Sequence, residues 1–182
     1  FEVDTLKMDT VFSRTPSATY SFWVYNRNDE GIRLQSVRLR HGNQTGYRVN
    51  VDGIYLDNAN GSQTNQVEIR RNDSILVFVE LTSSETKQEQ PVLLEDNLVF
   101  SLESGVEQNV LLQAWTWDAQ KWYSPVIDKD LVIESRVPII IYGDMTVNEG
   151  VTLTINNSSL YFHDGAGMEV YGSLRTDGCL LR

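Results

Sequence analysis

Apolar residues alternate with polar ones along most of the chain, the period expected when one face of a strand meets a core. In residues 18–25 Tyr20, Phe22 and Val24 share one face, and in 47–51 Tyr47, Val49 and Val51 alternate with Arg48 and Asn50. Residues 75–82 place Ile75, Val77, Val79 and Leu81 together, and 98–102 do the same with Leu98, Phe100 and Leu102. Each of these segments predicts a half-buried strand, and no helical period competes with them. Between Ile32-Leu34 and Val37-Leu39 the apolar parity switches, which predicts a bulge or short break. Asp52-Gly53, Asn60-Gly61 and Asn72-Asp73 fall between apolar runs, where tight turns need residues tolerant of left-handed backbone. About eight short strands before residue 120 at this spacing predict a Greek-key β-sandwich over 1–124. The polar stretch SSETKQEQP, 83–91, reads as a solvent loop.

After Pro125 short strands are separated by Gly, Asn and Asp. Ile141-Tyr142-Gly143 recurs as Val170-Tyr171-Gly172, each followed by a short strand, and the interval between the two tripeptides is the expected repeat length. This pattern predicts a solenoid over 125–182, the first rungs of a β-helix, in which every rung buries its inward face on its neighbour. Stacks generally need three or more repeats. The expectation is therefore that the coil continues in a longer protein or that its open edge docks on something else. The fold class expected is all-β.

The phrase TYSFWVYNRNDEGIRLQSVRL, followed by YRVNV, NDSILVFVEL and LVFSLESGVEQNVLLQAW, resembles Hydin-type immunoglobulin-like domains. The same domain followed by VPIIIYGDMTV and LYFHDGAGMEVYGSLRTDG resembles a group of uncharacterised Bacteroidota surface lipoproteins over nearly the whole chain. The resemblance implies a right-handed β-helix after the sandwich. It also implies attachment to the bacterial outer membrane through a lipidated cysteine upstream of a segment like FEVDTLKMDTVF, on either its periplasmic or its external side. Asp4-Thr5-Leu6, Asp9-Thr10-Val11 and Asp73-Ser74-Ile75 resemble the O-glycosylation signal of that phylum, which makes Thr5, Thr10 and Ser74 candidate acceptors.

Composition narrows the partners. With 182 residues, 41% hydrophobic and 22% charged, the chain has the make-up of a folded globular protein. A net charge of −10 opposes nucleic acid and anionic lipid; Arg33, Arg38, Arg40 and Arg48 form a local basic excess that reads as a solvated face. One cysteine, Cys179, rules out an internal disulfide and a cysteine metal cluster.

His41 and His163 sit in no spacing that pairs them with a nucleophile or a second ligand. His163-Asp164-Gly165 reads as a bend. There is no phosphate loop, serine elbow or metal-binding His-Glu motif. The expectation is a chain without catalytic residues, metal or cofactor, hence no enzyme.

Trp115 and Trp117 share one strand face, with Trp122 and Tyr123 close behind. Exposed, such rings stack on sugar faces; buried, they fill a core. Core or interdomain packing is the favoured role and glycan binding the alternative. The function expected is a surface binding or assembly module with an outer-membrane or surface protein partner. The alternatives are a glycan-binding protein or adhesin, and an accessory domain of a polysaccharide-active enzyme.

Overall fold

The computed structural model describes residues 1–182. It is all-β, with a single 3-10 turn (Asn58–Asn60) and no α-helix, and it divides into two compact units. The first comprises Phe1–Thr86 and Pro91–Thr116, the second Lys87–Gln90 and Trp117–Arg182.

Ten strands build the first part of the chain: β1 (Thr5–Lys7), β2 (Val11–Phe12), β3 (Tyr20–Tyr25), β4 (Ile32–Leu39), β5 (Tyr47–Val51), β6 (Ile54–Tyr55), β7 (Gln63–Ile69), β8 (Ser74–Leu81), β9 (Val92–Leu102) and β10 (Glu107–Trp117). They form a six-stranded sheet in the order β1-β10-β9-β4-β7, with β2 also on β10, and a four-stranded sheet in the order β3-β8-β5-β6. Along these two orders each neighbouring pair is antiparallel except β1 on β10, which is parallel. The segment before β1 also seals the free edge of β3: the amide of Glu2 donates to the Trp23 carbonyl and its carboxylate accepts from the Trp23 amide.

Alternation decides which side chains meet. Phe22 and Val24 of β3, Val49 and Val51 of β5, and Ile75, Val77, Val79 and Leu81 of β8 share one core with Leu34, Val37, Leu98, Phe100, Val110 and Leu112 of the larger sheet. The switch of parity in β4 is a register irregularity against β9 between Leu34 and Ser36, the bulge the sequence required. Asp52 and Gly53, both with positive φ, close the β5–β6 hairpin.

The second unit is made of parallel ladders. β11 (Gln120–Tyr123), β14 (Ile139–Tyr142), β17 (Ser159–His163) and β20 (Leu180–Leu181) form one sheet. β12 (Val126–Ile127), β15 (Met145–Val147) and β18 (Met168–Val170) form a second; β13 (Leu131–Glu134), β16 (Thr152–Asn156) and β19 (Ser173–Asp177) form a third. Three successive turns each contribute one strand to every sheet. Ile139, Ile141, Met145, Val147, Leu153, Ile155 and Leu160 point inward and make a separate core.

Three expectations need correction. The repeat is shorter than the interval from Ile141 to Val170, because Ile139 pairs with Leu160 and Thr152 with Ser173. Ile141 itself pairs with Phe162, and Val170 with Val147, so the repeated tripeptide compares two different bends. The division between units falls before β11 rather than at 124/125, because Trp122 and Tyr123 pair with Ile141 and Tyr142. Residues 83–91 are not simply a solvent loop. Ser83 is buried, with its hydroxyl hydrogen-bonded to Thr116, and Lys87–Gln90 belong to the second unit, where Glu89 pairs with Arg136 at 3.1 Å.

Candidate functional site

The segment TYSFWVY sends Phe22 and Val24 into the core, and the same alternation sends Ser21, Trp23 and Tyr25 outward. Pairing then assembles a row across the four-stranded sheet. Ser21 lies opposite Phe78, Phe78 opposite Asn50, and Asn50 opposite Tyr55. Trp23 lies opposite Leu76, one pleat further along. Trp23 is 39% exposed, Phe78 40% and Tyr55 51%, so three rings stand on one sheet face with a hydroxyl and an amide beside them.

Polar groups frame this face. On one side Glu80 accepts from Thr19 Oγ1 at 2.6 Å and from Arg48 Nη2 at 3.1 Å. On the other the Arg27 guanidinium lies 5.7 Å over the Tyr25 ring, occupying one of its faces. Asn50 Oδ1 accepts from the Gly53 amide and so is fixed by the hairpin turn.

The tryptophans singled out from the sequence differ in exposure. Trp115 is 47% exposed rather than in the core. The inward positions of β10 are Val110, Leu112, Ala114 and Thr116, which leaves the odd-numbered residues outward. Trp117 is half-buried, its indole N–H donating to the Glu89 carbonyl at 2.9 Å. Trp122 packs against the second core, while Tyr123, the next residue, points out and is 69% exposed.

Tyr123 stacks on Tyr142 at 5.1 Å, and Tyr142 lies 4.7 Å from His163, in register up the first ladder. His163 is thus part of an aromatic ladder as well as the start of a bend. The stacked faces of Tyr123 and Tyr142 cover one another.

Thr10 is exposed between β1 and β2, whereas Thr5 and Ser74 are half-buried within strands. Cys179 is half-buried against the second core. The four arginines do not form one patch: Arg38 pairs with Glu107 and Arg40 meets Asn109, Arg33 lies opposite Glu68, and Arg48 is on the other sheet with Glu80.

Sequence reasoning missed a histidine–carboxylate pair. His41 Nδ1 lies 3.1 Å from Asp96 Oδ1, far apart in sequence, and Asp96 is fully buried. The Asp96 carboxylate also accepts from the amides of His41 and Asn97 and from Thr45 Oγ1. Three of these contacts fall on Oδ1 and one on Oδ2, so Asp96 acts as the anchor of the 40–46 loop. Tyr47 follows that loop; its phenol donates to the Leu94 carbonyl, and burial, with the negative charges of Asp96 and Glu95, holds its pKa well above the ordinary tyrosine value.

A cavity of about 380 Å³ opens at one end of the first unit, walled by Val24, Ile32, Leu34, Phe100 and Leu102. The Phe1 ring closes on it, tilted against Phe100 at 4.9 Å.

No family model matches the chain, and no curated protein does. Among solved structures, a family 123 glycoside hydrolase from Clostridium perfringens aligns over 66% of this chain and 26% of its own, with 4% identity and a TM-score of 0.43. The chain therefore spans about a quarter of that protein's length. A likeness at this level bears on neither fold family nor activity.

Proposed function

We propose that the chain is a non-catalytic binding and assembly module of a bacterial cell surface, an immunoglobulin-like Greek-key sandwich followed by turns of a β-helix. The two sheets around one core, antiparallel along their strand orders but for β1 on β10, support the first half of the fold reading, and the three parallel ladders support the second. The surface setting rests on the resemblance to lipid-anchored outer-membrane proteins.

One observation carries the assembly role. At the last turn every residue of β19 is exposed, and Val170, Leu174, Leu180 and Leu181 stand 37–41% exposed together at the end of the coil. Unpaired strand edges beside exposed apolar side chains invite further β structure. In the assembly reading this edge is where a partner's strand pairs. The His41–Asp96 pair does not argue for catalysis, because the buried Asp96 carboxylate of β9 is already engaged by His41 and Thr45 of the 40–46 loop and by the Asn97 amide.

The test is to place lysine at Leu174 and Leu180 in the full-length protein and to measure co-purification with its outer-membrane partner. Loss of the complex with both cores intact supports the reading. Retention of the complex rules out the coil end as its contact. Turnover of a polysaccharide by the purified chain would overturn the non-catalytic assignment.

A further inference from the structure

From the outer face of the four-stranded sheet we infer a binding site for a neutral glycan, with Trp23, Phe78 and Tyr55 as its stacking platform. The inference rests on the reading of the chain as a binding module and names a ligand class for a different surface.

Strand pairing fixes the spacing of the platform. Neighbouring strands lie about 4.8 Å apart, and residues two apart on one strand about 6.8 Å. Trp23 and Phe78 are diagonal neighbours across β3 and β8, while Tyr55 sits two strands beyond Phe78. The rings are therefore displaced sideways on one surface rather than stacked on each other, in contrast to Tyr123 and Tyr142 in the coil. Each ring is partly exposed and within reach of one flat ligand laid across the row.

The chemistry between the rings selects the ligand. Asn50 stands between Phe78 and Tyr55 and Ser21 at the end of the same row, so hydrogen-bonding side chains border the rings, while half-buried Leu76 lies between Trp23 and Phe78. A protein interface core is a continuous apolar patch. A pyranose presents an apolar C–H face and a rim of hydroxyls, which matches rings bordered by a hydroxyl and an amide. The Thr19–Glu80–Arg48 network bounds the row and supplies further groups for the rim.

Charge decides between neutral and acidic glycans. The row itself carries no ionised side chain, and the flanking Arg48 and Glu80 cancel at 3.1 Å. The chain as a whole carries −10, a field that repels a polyanion and leaves a neutral chain unaffected.

The test uses cellohexaose, mannohexaose and xylohexaose as neutral probes and oligogalacturonate as the acidic one. Binding is followed by calorimetry and by the indole N–H resonance of Trp23 in the wild-type chain. At least one neutral probe should bind and shift that resonance. Trp23→Ala and Phe78→Ala should each weaken binding on the order of tenfold, the scale of one lost stacking partner, and Trp115→Ala should leave it unchanged. Phe78→Ser and Tyr55→Ala serve as independent variants if Trp23→Ala fails to fold. Failure of all three neutral probes to bind, preference for oligogalacturonate, or binding insensitive to Trp23 and Phe78 would each overturn the site. A protein partner that shields Trp23 in place of sugar would overturn it as well. The lysine substitutions at Leu174 and Leu180 should not affect glycan binding, so the coil-end contact and the sugar site fail independently.

Discussion

Replacing Gly172 by alanine should unravel the third turn of the coil. Gly172 lies between β18 and β19, where the Tyr171 amide donates to the Val147 carbonyl at 2.9 Å and the Ser173 amide to the Val151 carbonyl at 2.8 Å. The bend is thereby laid on the equivalent bend one turn below. A Cβ at Gly172 would land on the carbonyl oxygens of Asn148 and Val151. Its φ lies outside the left-handed region, so glycine is required here for space and not for backbone freedom.

The obstructing atoms are backbone, flanked by β15 and β16, and no rotamer change removes them. Overpacking of this kind costs about 1–3 kcal/mol, and each of the two hydrogen bonds puts about 1 kcal/mol more at risk. The expected loss is therefore roughly 2–5 kcal/mol, confined to the second unit. Gly150 provides the control: its φ is +75° and an added Cβ would meet nothing within 4 Å, so Gly150→Ala should cost only the left-handed penalty of about 1–2 kcal/mol. Urea unfolding followed by amide hydrogen exchange separates the units. Gly172→Ala should abolish protection across 168–177 while the β8 amides keep theirs. If Gly172→Ala were no more costly than Gly150→Ala, the stacked-bend account would be wrong.

Asp96→Ala should destabilise the first unit by about 1–3 kcal/mol, since it leaves part-buried donors of the 40–46 loop without their acceptor, a loss that chemical denaturation would detect. Leu81→Ala, at a fully buried site of β8, should cost about 2–5 kcal/mol in the same experiment. Glu107 has a lowered pKa, held down first by the Ser101 hydroxyl and then by Arg38; in a carboxyl NMR titration, Ser101→Ala and Arg38→Ala should each raise it. Its contribution to stability is in place above the ordinary glutamate value and is lost as pH falls through the lowered one. Tyr47 has the opposite sign: its raised pKa contributes stability that is complete below about pH 10, the free tyrosine value, and is lost only as pH rises through the folded one. Phenolate absorbance should show one tyrosine un-ionised above that pH until the fold opens.

The strand faces were legible because alternation is a local property. Val77, Val79 and Leu81 needed no knowledge of their partners to be placed inside, and the parity switch around Gln35 announced the bulge. The coil was legible as a coil but not in its period, because Gly143 and Gly172 occupy different bends and only pairing reveals which residues stack. His41 and Asp96 meet through the fold of a loop, and nothing local to either predicts it. The aromatic face was within reach: placing Phe22 and Val24 inside obliges Trp23 to face out. Phe78 likewise stands between inward Val77 and Val79, but Tyr55 joins them only once β6 pairs with β5.

The ladders also govern which changes of length the coil can absorb. Between the first two sheets, β14 and β15 are joined by Gly143 and Asp144, whereas β17 and β18 are joined by the longer link Asp164–Gly167. Met145 accordingly pairs with Met168 rather than with Ala166, the partner that the offset between Ile139 and Leu160 would assign it. The extra length is looped out at a bend, and the strands on both sides keep their register. Insertions and deletions are thus filtered by position: a bend accepts a small change, a strand accepts none, and growth beyond that proceeds by a whole turn. A coil built this way lengthens in countable steps, and each added turn presents a fresh outer surface over an inner one already specified by the turn before it.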